Sequence, residues 1–169
     1  MNSFLRVLIA SALAALVLTS SASAAEKSSK LVVRGVDTVI DGPCPAGVCQ
    51  LTLTDGAFRG TTGTGAYSGS IKLAVKSGFP NGEGGVCAPI EGEITLGTGT
   101  PNRLVLALAG DSCQDGAGDV TQASFTGVAH FVVKHGTGTY AKTRGYGIAT
   151  FSEGVDDRER MTLIGRTWR

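Results

Sequence analysis

The sequence lacks an excess of charge of either sign. It contains 15 lysine and arginine residues against 14 aspartate and glutamate residues. A nucleic-acid-binding domain usually carries a basic excess, and a protein that sequesters cations or basic partners carries an acidic one. The composition therefore indicates neither kind of partner, and we predict that the protein binds no nucleic acid.

The sequence also lacks an apolar run long enough to form a membrane-spanning helix. Its apolar run VLIASALAALVL, residues 7–18, follows Arg6 and precedes the small residues SASAA. A spanning helix needs about 20 residues, whereas this order and the A-x-A site at Ala22 and Ala24 are typical of a secretory signal peptide. We predict a signal peptide over residues 1–24 and one exported domain over residues 25–169. That domain is expected in the periplasm or the medium, with no stable membrane span after processing.

Recognisable catalytic or metal-binding patterns are scarce. The two histidines, His130 and His135, have an odd separation that places them on opposite faces of one strand. His135 shares the face of Phe125 and Phe131, which makes it a candidate for a barrel mouth. No serine lies in a nucleophile elbow, and the loop DSCQDGAGD lacks the alternating acids and terminal glutamate of a calcium loop. We therefore predict no catalytic residue, no metal and no cofactor.

Four cysteines are present, and an even number in an exported chain favours disulfide bonds. If the hairpin over residues 87–113 turns at Thr100, its large apolar residues share one face and Cys87 lies opposite Cys113. Cys44 and Cys49 then close the small loop PAGV. A zinc site is the alternative, but the spacings lack a pair of two-residue knuckles.

Alternation of apolar and polar residues predicts strands throughout the rest of the chain. No segment after the signal peptide has a convincing helical period. Turn-forming residues at 55–56, 80–85, 97–102 and 110–119 separate the alternating segments. The pattern predicts an all-β fold, a single antiparallel and roughly eight-stranded β-barrel stapled by disulfides. The predicted strands cover residues 30–40, 49–54, 71–76, 90–96, 103–110, 122–134, 145–152 and 158–168.

One glycine-rich pentapeptide occurs twice, as GTGAY at residues 63–67 and as GTGTY at residues 136–140. Glycine permits positive φ and close approach of the backbone, so each copy is expected to form a tight corner next to a strand. After the second copy, Gly145 and Gly147 share a face with Ala149 and Phe151. Small residues on an inward face relieve crowding in a narrow barrel or leave room for a ligand.

The second copy, in GTGTYAKTRGYGIATF, resembles the glycine and aromatic signature of the allene oxide cyclase and dirigent barrel superfamily. The preceding segment CAPIEGEITLGTGTPNRLVLALAGDSC is similar to the corresponding segment of small exported bacterial proteins with this signature. The resemblance covers roughly residues 85–155. It implies an eight-stranded calycin-like barrel, often trimeric in the plant members, and it does not imply their chemistry.

Three functions are compatible with this fold. The first hypothesis is a non-enzymatic binding module for a small apolar ligand, because the expected interior is lined by Leu, Ile, Val, Phe and Gly. The second is a cyclase or coupling enzyme acting on a hydrophobic substrate, which requires a buried polar group. Asp37 is a candidate for that group, because LVVRGVDTVI is apolar on both faces. The residues predicted to line a pocket are Asp37, Phe125, Phe131, His135, Tyr140 and Phe151.

The third hypothesis is an envelope or extracellular interaction protein with a solid barrel. The C-terminal strand carries cations, an isoleucine and the only tryptophan on one face, a composition enriched at protein interfaces. The predicted interface residues are Arg160, Arg166 and Trp168. A homo-oligomer, a trimer by analogy with the resembling family, is the expected partner.

Overall fold

A computed structural model of the protein describes residues 28–82, 84–114, 124–153 and 158–169. The predicted signal peptide lies outside the described residues. Within these ranges the regular structure consists of strands and short 3-10 turns, and no helix is long and apolar enough to cross a membrane. The strands are β1 (Ser29–Asp41), β2 (Cys49–Gly60), β3 (Gly63–Leu73), β4 (Phe79–Pro80), β5 (Val86–Leu96), β6 (Leu104–Gln114), β7 (Phe125–Gly136), β8 (Arg144–Glu153) and β9 (Arg158–Trp168).

The eight long strands form a closed antiparallel barrel. Their order around the sheet is β3-β2-β1-β9-β8-β7-β6-β5, and β3 pairs with β5 to close it. The two-residue strand β4 adds to the disulfide-linked end of β5. Closure pairs every long strand on both sides, which removes the exposed edges of an open sheet. The predicted all-β barrel is therefore confirmed.

The β5–β6 hairpin has the register that the sequence predicts. Leu96 lies opposite Leu104, Ile94 lies opposite Leu106, and Cys87 lies opposite Cys113. Both predicted disulfides are present, one joining Cys87 to Cys113 and the other joining Cys44 to Cys49. The second disulfide closes a loop that contains a 3-10 turn over Pro45–Gly47.

Two of the predicted turns are wrong in part. Asp55 and Gly56 do not separate strands but form a bulge within β2, where Asp55 has a φ of 53°. The chain turns instead at residues 61–62, between β2 and β3. In addition, β6 continues to Gln114, so the first part of the predicted turn at residues 110–119 is strand, and the rest lies outside the described residues.

The barrel has two different ends. The glycine end is the one at which β1 begins, and it carries the connections at residues 61–62, 97–103 and 137–143. The disulfide end is the one at which β1 finishes, and it carries both cystines. Both glycine-rich repeats lie at the glycine end, where Gly63 begins β3 and Gly136 ends β7. Between the two ends, a continuous apolar core fills the interior.

Glycines in the strands make room for two large rings inside the barrel. A Cβ atom on Gly147 or Gly165 would lie 2.6 or 2.9 Å from the ring of Phe131. A Cβ atom on Gly35 would lie 2.7 Å from the ring of Tyr67, with the Tyr67 hydroxyl 2.9 Å away. The inward glycines therefore allow aromatic side chains to cross a narrow interior, as the sequence pattern suggests.

Candidate functional site

The predicted pocket residues do not converge on one place. Phe131 and Phe151 are buried in the apolar core between the two ends of the barrel. Asp37 points inward from β1 and is buried, whereas Tyr140 lines a cleft at the glycine end. Phe125 is half-buried at the start of β7, and His135 is exposed.

The inward orientation expected for His135 is wrong because β7 contains a bulge. Leu106 pairs with Val133, whereas Val105 pairs with His135, so one extra residue lies between the two pairs. The alternation of side chains shifts by one position there. His135 consequently shares the outward side of Val105 and does not point into the barrel.

A concave site, which we call the mouth cleft, opens at the glycine end. It has a volume of about 430 Å³, and a second cavity of about 230 Å³ adjoins it and shares Thr62, Leu104 and Tyr140. Leu31 and Leu104, both buried, contribute apolar surface from the interior of the barrel. The volume lies within the range of small-molecule sites, and the lining is more polar than is usual for them. The lining of the mouth cleft includes Lys30, Leu31, Thr62, Leu104, Tyr140, Thr143, Thr167 and Trp168.

Two buried hydroxyl groups in the mouth cleft have no partner among the described residues. They are the Oγ1 atoms of Thr62 and Thr143, and both residues line the cleft. A buried polar group without a hydrogen bond costs roughly 1–3 kcal/mol. Such groups are rare in native proteins, so each of these hydroxyls in the cleft wall needs a water molecule or a polar atom of a ligand as its partner.

Tyr140 joins the two glycine-rich repeats across the mouth cleft. It ends the 3-10 turn Gly138–Tyr140, and its hydroxyl donates a hydrogen bond to the carbonyl oxygen of Thr62 at 3.0 Å. Thr62 directly precedes Gly63, the first residue of the other repeat. The hydrogen bond fixes the Tyr140 ring as a wall that separates the two adjoining cavities.

A second group of polar side chains, the interior carboxyl cluster, lies inside the barrel. It consists of Asp37, Glu159 and Tyr67, which are 2%, 7% and 2% exposed. Asp37 is directly opposite Glu159 in the β1–β9 pair, and Glu159 is opposite Glu153 in the β8–β9 pair. The cluster therefore combines two buried carboxyl groups and a phenol, with a third carboxyl group beside them on β8.

Burial dominates the electrostatics of the interior carboxyl cluster. Desolvation raises the pKa of Asp37, and the nearby Tyr67 hydroxyl offsets this in part. Desolvation, followed by the charges of Asp37 and Glu153, raises the pKa of Glu159 to about 8. The Tyr67 pKa also rises, mainly through desolvation and then through Asp37. Neither Asp37 oxygen, nor the Tyr67 hydroxyl, nor Oε1 of Glu159 forms a hydrogen bond of ordinary geometry with the described part of the chain.

The alternation of residues in β9 indicates that Glu159 faces the interior, although Glu159 is not among the predicted site residues. Glu159 lies at alternate positions of β9 with the apolar residues Met161 and Leu163, and all three are buried. Tyr67 was assigned to a glycine corner, although it lies on β3 with Ile71 and shares its inward face. No group of His, Cys, Asp or Glu within the described ranges is arranged to hold a metal ion.

The predicted interface residues lie on β9. Arg160 and Arg166 are exposed on its outward side. Trp168 is half-buried and meets Tyr146 of β8 edge to face, with the ring centroids 5.7 Å apart. The three residues therefore lie along one strand, with Trp168 at the rim of the mouth cleft.

Comparison with known proteins gives no relative for this chain. No protein-family model, curated protein or solved structure matches it. The relation to the allene oxide cyclase and dirigent superfamily stays a prediction, so function is argued from the mouth cleft and the interior carboxyl cluster.

Proposed function

We propose that the protein is an exported β-barrel that binds a small organic ligand in the mouth cleft without transforming it. The observation that carries this proposal is the pair of buried, unpartnered hydroxyls of Thr62 and Thr143 in a cleft of about 430 Å³. Export is supported by two disulfides and by the signal-like order of residues 1–24.

The lining of the mouth cleft defines the chemistry of the ligand. Leu31 and Leu104 favour an apolar body, and the rings of Tyr140 and Trp168 provide flat contact surfaces. Each threonine hydroxyl both donates and accepts a hydrogen bond, so a carbonyl or hydroxyl group on the ligand satisfies either one. The ligand is therefore expected to combine an apolar part with at least one polar group, and Lys30 and Arg169, which also line the cleft, are suited to an anionic one.

Native mass spectrometry of the protein purified gently from its own host tests this proposal directly. We expect a fraction of the protein to retain an organic ligand, and the same spectrum reports the disulfides and the oligomeric state. A ligand-free oligomer in repeated preparations would instead favour the interaction protein with a solid barrel.

Replacement of Thr143 by valine separates ligand binding from folding. We expect Thr143→Val to unfold at the same or a higher temperature than the wild type, because it removes an unpaired buried hydroxyl at nearly constant volume. The same variant should retain less ligand in the mass spectrum.

The matched control is Thr137→Val. The Thr137 hydroxyl donates to the carbonyl oxygen of Pro101 at 2.7 Å and accepts from the amide of Arg103 at 3.1 Å. Its loss should lower stability by about 1 kcal/mol or more. If Thr143→Val destabilises as much as Thr137→Val, the Thr143 hydroxyl has a structural partner and the proposed site is incorrect.

The interior carboxyl cluster favours an enzyme as the second candidate function. A carboxyl group with a raised pKa is suited to donate or accept a proton near neutral pH, and the pKa of Glu159 is about 8. Asp37 and Tyr67 are almost fully buried, so a substrate must open the barrel to reach them. The test is whether the protein converts the recovered ligand into a product. If the wild type does so and Asp37→Asn does not, the protein is an enzyme and the proposal of binding without conversion is incorrect.

A further inference from the structure

The outward side chains of β1, β8 and β9, together with Arg59 of β2, form a surface that we call the basic face. From Lys30 to Ile40, and along all of β8 and β9, every outward position is basic, apolar or hydroxyl-bearing. Two acidic residues of these strands, Asp37 and Glu159, are buried at inward positions, and Asp41 is exposed at the disulfide end of β1. A chain that is nearly neutral overall therefore presents positive charge on one side of the barrel.

Arginines on the basic face lie close to one another and form no ion pair with any residue that the structure describes. Arg34 is directly opposite Arg59 in the β1–β2 pair, and Arg160 is opposite Val36 in the β1–β9 pair. Like charges directly opposite each other destabilise a sheet. The ion pairs seen among the described residues, Lys72 with Glu91 and Lys134 with Glu93, connect other strands. An external anion is therefore the natural partner for these arginines.

The same surface exposes aliphatic side chains. Val36, Ile148 and Ile164 are 37%, 46% and 54% exposed, and Ile148 lies opposite Ile164 in the β8–β9 pair. Arg34, Arg59 and Arg160 surround a shallow, mainly apolar depression of about 490 Å³. A partner that fits this surface is both anionic and apolar.

We propose that the basic face binds the surface of an anionic phospholipid bilayer. Guanidinium groups match phosphate oxygens in bidentate geometry, and the adjacent aliphatic side chains contact the boundary between headgroups and acyl chains. Tyr146 and Trp168, at the edge of the face, are residue types enriched at that boundary. A nucleic acid fits less well, because bases stack on aromatic rings, whereas the exposed apolar residue among Arg34, Arg59 and Arg160 is the aliphatic Val36.

Sedimentation with lipid vesicles tests this proposal on the complete, disulfide-bonded protein. We expect binding to phosphatidylcholine vesicles that contain phosphatidylglycerol, weak binding to pure phosphatidylcholine, and a loss of binding as salt is raised above about 0.15 M. Arg34→Gln with Arg160→Gln should weaken binding to the anionic vesicles about 25-fold, or roughly fivefold for each charge.

The control is Arg103→Gln with Lys142→Gln, which removes the same charge from exposed connections at the glycine end. This control should weaken binding only about twofold, through the general loss of net charge. Val36→Thr with Ile164→Thr should also weaken binding, since a bilayer contacts the aliphatic residues. No variant should unfold below the wild-type temperature, because the replaced side chains are exposed, and Arg34→Gln also removes the like-charge contact with Arg59.

Three results would overturn the proposal. The first is a wild-type protein that does not bind anionic vesicles. The second is an equal loss of vesicle binding in the Arg34→Gln, Arg160→Gln variant and in the Arg103→Gln, Lys142→Gln control, which would show an effect of net charge alone. Tighter binding to soluble polyglutamate than to anionic vesicles would assign the basic face to an acidic protein instead.

Discussion

At the scale of single residues, Glu159 is in an unusual position for a glutamate. It lies between Asp37 on β1 and Glu153 on β8, and Tyr67 of β3 approaches from across the interior. Among the described residues no cation lowers the pKa of Asp37 or Glu159, so burial and mutual repulsion both favour the protonated form. The barrel is therefore expected to fold with at least one of its interior acids neutral.

The stability of the protein should consequently fall as pH rises from about 5 to about 8. The pKa of Glu159 is about 8 in the folded protein and 4.5 in the absence of the fold. Between these values the folded state holds a proton that the unfolded state has released, so the unfolding free energy falls with pH, by about 1 kcal/mol per unit. The raised pKa of Asp37 acts in the same direction. Thermal unfolding followed by circular dichroism across this range measures the effect.

Glu159→Gln isolates the contribution of this residue, because the amide is neutral at every pH. Its unfolding temperature should depend less on pH and exceed that of the wild type at pH 8. Glu91→Gln is the control, since Glu91 is exposed and forms only a surface pair with Lys72. A wild-type protein that is most stable at pH 8 would contradict the assignment of a neutral Glu159.

At the scale of strands and turns, the sequence pattern predicted the features that neighbouring residues determine, namely the strands and one hairpin. Strict alternation indicated eight strands, although the strand predicted at residues 71–76 overlaps β3 only in the last three residues of β3. The turn at Thr100 fixed the β5–β6 register and its disulfide. The bulges were not predicted, because an extra residue in one strand is specified by its partner strand. The bulge in β7 places His135 outside the barrel, and the bulge at Asp55 lies opposite β1 near Asp37.

The β7–β8 corner offers a direct test of why glycine is present. Gly138 has a φ of +55°, and a Cβ atom there would lie 2.1 Å from Oδ1 of Asn102. That oxygen accepts a hydrogen bond from the amide of Thr139 at 2.9 Å, so it cannot move without losing the bond. Gly138→Ala should therefore destabilise the protein by about 3 kcal/mol, through backbone strain and overpacking together. Urea unfolding gives this free energy.

Gly99→Ala is the matched control for the corner. Gly99 has a φ of +78°, but no atom lies within 4 Å of the position that its Cβ would take. Only backbone strain applies there, at about 1 kcal/mol. Equal losses at the two positions would show that the contact with Asn102 contributes nothing.

At the scale of the whole molecule, closure of the barrel depends on contacts between distant parts of the chain. The β3–β5 pair completes the ring, and the β1–β9 pair joins the first strand to the last. The mouth cleft is a product of the same closure, because residues of β1, the β2–β3 turn and the β7–β8 connection meet there. The cleft could not be predicted from the sequence, since no local pattern specifies which turns share one end of a closed sheet.

The two disulfides should stabilise this closed molecule to different degrees. Cys87 and Cys113 are separated by 26 residues in sequence, whereas Cys44 and Cys49 are separated by 5. In the chain-entropy model the longer loop gives about 3 kcal/mol and the shorter one about 2 kcal/mol.

Urea unfolding of Cys87→Ala with Cys113→Ala, compared with Cys44→Ala with Cys49→Ala, measures the two contributions. The first pair should cost more, because its bond links two neighbouring strands of the barrel, whereas the second constrains only the short loop between β1 and β2. A larger loss from the Cys44 and Cys49 pair would mean that the loop at the disulfide end, and not the β5–β6 hairpin, limits the stability of the barrel.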